Sequence, residues 1–119
     1  MPSGKVSIVF FWATWNAPCK RALPKLEELY EKYSPDGLAI VAVSVDDEGD
    51  GVAEAAKEWG ARFPVAWDRG HSVANAWQPS RMPTLFVVDK SGAIVGEHYG
   101  WRDGAERDVE RDVKRLLSP

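Results

Sequence analysis

The chain is poor in cysteine, with one thiol, Cys19, among 119 residues. A single thiol excludes an internal disulfide, so the folded state must be held together by a hydrophobic core. The length and a hydrophobic content of 45% are sufficient for one such core. One thiol is compatible with oxidising and reducing compartments alike, so the cysteine count favours neither.

An excess of basic residues is also lacking. Fifteen Lys and Arg stand against 18 Asp and Glu, and the net charge is −3. Nucleic-acid binding needs a basic patch or stripe, so we expect no nucleic-acid partner. The sequence has no apolar run of 18 residues and does not open on a basic segment followed by an apolar one. Contact with a membrane would therefore require a segment outside this chain.

The sequence has no His, Cys, Asp or Glu residues at the spacings that are typical of metal-binding motifs. His71 and His98 lie far apart and have no ligand spacing with Cys19. The acidic stretch 46–51, which begins at Asp46, does not match the pattern of a calcium-binding loop. We therefore expect no metal and no cofactor, and we interpret residues 46–51, Asp46 included, as a solvated loop.

Apolar runs alternate between the strand and helix periods along the chain. A strand, a helix and a second strand at the start predict a right-handed crossover and a parallel strand pair. The turn Asp89–Gly92 predicts an antiparallel hairpin near the end. We expect one α/β domain over residues 1–119, in which a mixed sheet is covered by helices on both faces. The predicted elements are strands at 6–12, 38–45, 63–66, 85–88 and 93–100 and helices at 17–33, 52–59, 72–77 and 105–117.

The stretch that carries chemistry joins the first strand to the first helix and reads F-F-W-A-T-W-N-A-P-C-K over residues 10–20. Asn16 stands where a helix N-cap belongs, and Pro18 lies in the first turn, where a missing N–H costs little. Cys19 follows at the helix N-terminus, where the helix dipole stabilises a thiolate. The usual redox version of this pattern is C-x-x-C, and its first position is occupied here by Asn16.

Three further stretches accompany this motif: Pro24 inside the first helix, Met82-Pro83-Thr84 before a strand, and the turn sequence F-V-V-D-K-S-G over residues 86–92. Together the four resemble the thioredoxin superfamily, and within it the TlpA/ResA-like thiol–disulfide oxidoreductases. The resemblance covers residues 5–117 and implies a thioredoxin-like three-layer α/β/α sandwich with a mixed central sheet. The additional helix and short strand at 50–66 favour the TlpA-like branch.

The resemblance also implies what this chain has lost. In the dithiol members the first motif cysteine attacks a disulfide and the second resolves the mixed disulfide. An amide at Asn16 cannot attack, so the two-cysteine cycle cannot run within this chain. Two carboxylates that serve family members in proton transfer correspond to Phe10 and Ala22 here, so that function is missing as well.

Cys19 is open to two interpretations. It is either a half-buried, unreactive thiol or a monothiol that forms a mixed disulfide with glutathione or with a cysteine of a partner protein. Lys20, Arg21 and Arg81 would lower its pKa, as would the first helical turn, whereas burial would raise it. The sequence gives no exposure and so does not decide between them.

The family's substrate groove corresponds to Trp15, Ala17, Pro18, Met82 and Pro83, with a cis peptide bond expected before the last. In the family this loop offers backbone groups to an extended substrate and can bind peptides without a redox step. The first functional hypothesis is therefore a thiol–disulfide oxidoreductase limited to monothiol chemistry at Cys19. The alternative is a redox-inactive thioredoxin-fold module that binds protein partners through the groove.

Other properties follow from the resemblance or stay open. We expect a monomer. The resemblance implies an extracytoplasmic location if a leader segment is missing from the chain, and a cytoplasmic one otherwise. A further interpretation is that Asn16 was engineered into a parent sequence that carries a cysteine at this position.

Overall fold

The computed structural model describes residues 4–79 and 82–118. Within them the chain forms strands and helices in the predicted order. The elements are β1 Val6–Trp12, α1 Ala17–Tyr33, β2 Leu38–Ser44, α2 Val52–Glu58, β3 Val65–Trp67, α3 Ser72–Trp77, β4 Thr84–Val88, β5 Ile94–Tyr99 and α4 Ala105–Leu117.

The strands form one mixed sheet in the order β3-β2-β1-β4-β5. β1 pairs with β2 in parallel and with β4 antiparallel, and β4 and β5 form the antiparallel hairpin. β3 lies at the edge, as Pro64 predicts, but it spans residues 65–67 rather than 63–66. The shift has a packing reason, because Phe63 turns into the core and is buried.

Helices cover both faces of the sheet, so the predicted three-layer arrangement is confirmed. On one face the larger core cluster joins Ile8, Phe10 and Trp12 of β1 to α1 and α4. On the other face a smaller cluster lies against α3, which contributes Trp77. β1 is buried along its whole length because both of its faces are covered.

The carboxyl ends of β1 and β2 lie side by side at one edge of the sheet. Trp12 pairs with Ser44 at the end of the parallel ladder, and the Val45 N–H donates to the Trp12 carbonyl at 2.8 Å. The loops that leave these two strands therefore start next to each other. This edge holds the motif that the sequence singled out.

Candidate functional site

Asn16 caps α1. Its backbone is extended (φ −103°, ψ 112°), and its side-chain oxygen accepts a hydrogen bond from the Cys19 N–H at 3.2 Å. The predicted cap is therefore confirmed. The other end of the same amide reaches across the site, where Nδ2 lies 3.5 Å from the Met82 carbonyl oxygen. Asn16 thus links the start of α1 to the loop before β4.

Cys19 is fully buried in the larger core cluster, beyond the half-buried position that the unreactive interpretation assumed. Burial raises the pKa of its thiol from 9.0 to about 12. A hydrogen bond with the Ala13 backbone acts in the opposite direction, and the charge of Asp46 adds to the rise. Lys20 and Arg21 are exposed. Burial therefore outweighs the helix terminus and the neighbouring cations.

The raised pKa and the burial make Cys19 unreactive toward reagents in solution at neutral pH. A shift from 9.0 to about 12 lowers the thiolate fraction roughly a thousandfold near pH 7, and the core covers the sulfur as well. We expect the native chain to react with iodoacetamide at pH 7.5 only after denaturant is added. Intact-mass analysis of native and unfolded samples measures this. Rapid alkylation of the folded chain would contradict it.

The same shift has a consequence for stability. The unfolded thiol ionises near pH 9 while the folded thiol keeps its proton, so unfolding releases a proton in that range. The free energy of unfolding should therefore fall as the pH rises above about 9. A Cys19→Ala variant serves as the control, because it loses this part of the pH dependence.

The loop before β4 lies beside the capped helix. The Met82–Pro83 peptide bond is cis, Pro83 is buried, and its carbonyl accepts a hydrogen bond from the Gly100 N–H at 2.8 Å. Met82 is half-buried, and Ser80 and Arg81 lie outside the described residues. Met82 of this loop makes the contact with the Asn16 amide described above.

A shallow groove of about 550 Å³ runs along this loop and α3. Trp15, Ala17 and Pro18 adjoin Asn16 at the start of α1, and the Trp15 side chain is 68% exposed. The groove is lined by Val45, His71, Ala74, Asn75, Gln78, Pro79 and Met82. The structure therefore brings Met82 to the groove and joins it to the motif through Asn16.

Phe10 and Ala22, which the resemblance places at the positions of proton-transferring carboxylates, are apolar and lie buried in the larger core cluster. A carboxylate that the sequence analysis missed lies nearby. Asp46 is only 6% exposed, so its interpretation as part of a solvated loop is wrong. It accepts hydrogen bonds from the Thr14 N–H at 3.1 Å, the Thr14 hydroxyl at 2.6 Å and the Ser44 hydroxyl at 2.5 Å.

A positional signal for Asp46 is present in the sequence. Asp46 follows the end of β2 by two residues, and Thr14 follows the end of β1 by two residues. Parallel strands that pair in register deliver such residues to the same edge of the sheet. The neighbouring acidic residues Asp47, Glu48 and Asp50 are exposed, as the loop interpretation predicts.

Residues 4–79 and 82–118 contain no group of three or more His, Cys, Asp or Glu side chains placed to hold a metal ion. In the same part of the chain, no helix has both the length and the apolar character that crossing a membrane requires.

The sequence of the chain is similar to those of known thiol–disulfide oxidoreductases. The model of the AhpC/TSA family matches residues 2–96. The thiol–disulfide oxidoreductase ResA of Geobacillus kaustophilus is 38% identical over 113 residues, and that of Bacillus thuringiensis (strain Al Hakam) is 35% identical over the same length. Each alignment covers 95% of this chain, which spans 64% of the length of either relative.

A solved structure supports the fold. The crystal structure of a thiol:disulfide interchange protein of the thioredoxin family from Chlorobium tepidum TLS aligns with 98% of this chain and 82% of its own length. Its sequence identity is 29% and its TM-score 0.83. The thioredoxin-like fold expected from the sequence is thereby confirmed.

Proposed function

Because the chain belongs to the AhpC/TSA family, as a thioredoxin-like relative of the thiol–disulfide oxidoreductases, we propose that it binds an extended polypeptide without exchanging disulfides itself. The binding site is the groove along the Met82–Pro83 loop and α3, which the Asn16–Met82 contact joins to the start of α1. The observation that carries the proposal is the pairing of an amide at position 16 with a fully buried thiol at Cys19.

Disulfide exchange requires a thiolate that attacks one sulfur of a disulfide, forms a mixed disulfide and releases the other sulfur as a thiolate. A second thiol then resolves the mixed disulfide. Asn16 has no sulfur with which to attack, and Cys19 keeps its proton at neutral pH and has no exposed surface. This argues against monothiol capture of glutathione or of a partner's cysteine.

Three features in the groove and beside it support polypeptide binding. Trp15 places an exposed indole beside Asn16, and aromatic side chains of this kind anchor protein contacts. Met82 supplies an adaptable apolar surface at the groove. His71 and Gln78, at either end of α3, line the groove with φ of 59° and 55°. Left-handed backbone at non-glycine residues is costly and concentrates at binding sites.

The test uses a probe that cannot form a disulfide, namely reduced and carboxymethylated α-lactalbumin, which is unfolded and has no free thiol. We expect it to shift the NMR signals of the Trp15 indole and of Ala17 and Met82. Trp15→Ala should weaken binding by about tenfold, the loss of one aromatic anchor. Ile94→Ala is the matched control, because Ile94 is also an exposed apolar residue but lies away from the site. Its strand partner Val88 pairs with the start of β1, whereas the motif follows the end of β1.

Glutathione disulfide separates the two functional hypotheses, because the carboxymethylated probe cannot form a disulfide under either of them. Under the proposal, folded native chain incubated with glutathione disulfide keeps its unmodified mass, as does the Cys19→Ser control, which has no thiol. A glutathione adduct on Cys19 in the folded chain would support monothiol chemistry instead. The absence of any binding to the probe would overturn the proposal.

A further inference from the structure

The Asp46 carboxylate is buried where the two strand-end loops meet, and we propose that it is a positioning residue of the groove. It fixes the loop 13–16, which carries Trp15 and Asn16, and so determines how these two side chains are presented to a bound polypeptide. The inference rests on the proposed function, which it extends to a residue that lies outside the groove lining.

The contacts of Asp46 tie it to both strand-end loops. Its carboxylate accepts from the Thr14 N–H and hydroxyl on one side and from the Ser44 hydroxyl on the other. Its own N–H donates to the Ser44 hydroxyl at 3.1 Å, and its carbonyl accepts from the Trp67 indole N–H at 2.8 Å. The backbone and the side chain of Asp46 are therefore both fixed by hydrogen bonds, and Thr14 binds to a carboxylate that cannot move freely.

In the described part of the chain, the groups that balance the charge of Asp46 are these hydrogen-bond donors. No lysine or arginine in the described part of the chain forms an ion pair with it. Hydrogen bonds to an ionised and buried acceptor are roughly twice as strong as those between neutral groups. We therefore expect the hydrogen bonds from Thr14 to Asp46 to be about twice as strong as hydrogen bonds between neutral groups.

The loop 13–16 connects the Asp46–Thr14 contact to the groove through two further contacts of Asn16. Asn16 closes the loop as a turn, with its N–H donating to the Ala13 carbonyl at 3.2 Å. The Asn16 amide then contacts Met82, which lines the groove. The Trp15 side chain is 68% exposed, so its direction depends largely on the loop backbone. Loosening Thr14 should therefore displace both groups.

The experiment compares Asp46→Asn with Glu48→Gln, an exposed carboxylate in the same stretch whose loss changes the net charge equally. We expect Asp46→Asn to shift the NMR signals of the Thr14 amide and Trp15 indole and to weaken binding of carboxymethylated α-lactalbumin by about tenfold. Glu48→Gln should do neither. Because the Asp46 charge raises the pKa of Cys19, Asp46→Asn should also lower that pKa in a thiolate absorbance titration.

A second pair of variants tests the same contact from the Thr14 side and serves if Asp46→Asn does not fold. Thr14→Val removes the hydroxyl donor at nearly constant shape, whereas Thr14→Ser keeps it. Thr14→Ser should bind the probe several-fold more tightly than Thr14→Val. A purely structural role would lower stability in these variants and leave the affinity of the folded molecules unchanged.

The outcomes distinguish this inference from the proposed function. If the native chain binds the probe and Asp46→Asn and Thr14→Val bind it equally well, the positioning role is wrong and the binding function stands. If the native chain does not bind, the binding function fails, and the Trp15 and Thr14 signals still decide the role of Asp46. Native positions of both signals in Asp46→Asn would overturn it.

Discussion

Asn16→Cys is expected to give this chain disulfide-reductase activity that the native chain lacks, at least about a hundredfold above its background. Asn16 is half-exposed and lies at the N-terminus of α1. The helix dipole would lower the pKa of a thiol at this position. This thiol attacks an insulin disulfide, and Cys19 resolves the mixed disulfide. Insulin leaves as the dithiol and the site becomes a disulfide, which added dithiothreitol reduces for the next cycle. Turbidity of precipitating insulin measures the rate.

The geometry of the native cap favours this outcome. The Asn16 side chain already reaches the Cys19 backbone, with 3.2 Å between its oxygen and the Cys19 nitrogen. Asn16→Ser is the matched control, because serine also caps a helix but carries no attacking sulfur, and it should stay inactive. Asn16→Cys combined with Cys19→Ser should accumulate a mixed disulfide with insulin and not turn over.

A folded Asn16→Cys chain without activity would contradict the prediction and would be informative about the scaffold. It would mean that the apolar residues Phe10 and Ala22, at positions where the resemblance implies carboxylates, disable proton transfer even with both thiols present. Activity would show that the single change at position 16 accounts for the loss. The two results therefore separate the missing nucleophile from the missing proton-transfer groups.

The sequence predicted best those element boundaries that are set by the residues at the boundary itself. Asn16 and Pro18 mark the start of α1, and the observed start at Ala17 agrees with these signals. β3 was less well predicted, because its pairing depends on where β2 leaves an open edge. Phe63 and Pro64 look extended in the sequence, but the core takes up Phe63 instead.

The sequence singled out candidate site residues but did not show how deeply they are buried. The motif identified Asn16, Cys19 and the Met82–Pro83 loop, because these are contiguous patterns. The burial of Cys19 and Asp46 depends on how α1 and the two strand-end loops pack together, which no local pattern encodes. Asp46 lies in a run of acidic residues, and composition alone cannot tell it from its exposed neighbours.

The second large effect is on stability, at the aromatic cluster of Phe11, Trp77 and Phe86. The three rings pack edge to face or tilted, with centroids 5.2 to 6.2 Å apart. Phe11 is fully buried between the sheet and α3. Phe11→Ala should lower the free energy of unfolding by about 3–5 kcal/mol, a large part of the stability of a typical domain. Urea denaturation measures this, and Phe11→Leu should cost less.

The cluster also links stability to the groove. α3 has six residues, too few to be stable by itself, and its Ala74 and Asn75 line the groove. Packing of Trp77 on Phe11 therefore holds one wall of the binding site. Phe11→Ala should weaken binding of the carboxymethylated probe even under conditions in which the chain stays folded.

Phe10→Ala is the control that separates these two consequences. Phe10 is the preceding residue of β1, equally buried, but it faces the opposite side of the sheet and packs in the cluster with α1 and α4. Its loss should cost a similar free energy of unfolding and leave the α3 wall in place. Equal loss of affinity in the two variants would mean that binding follows overall stability. A loss confined to Phe11→Ala would assign it to α3, since only that side of the sheet supports the groove wall.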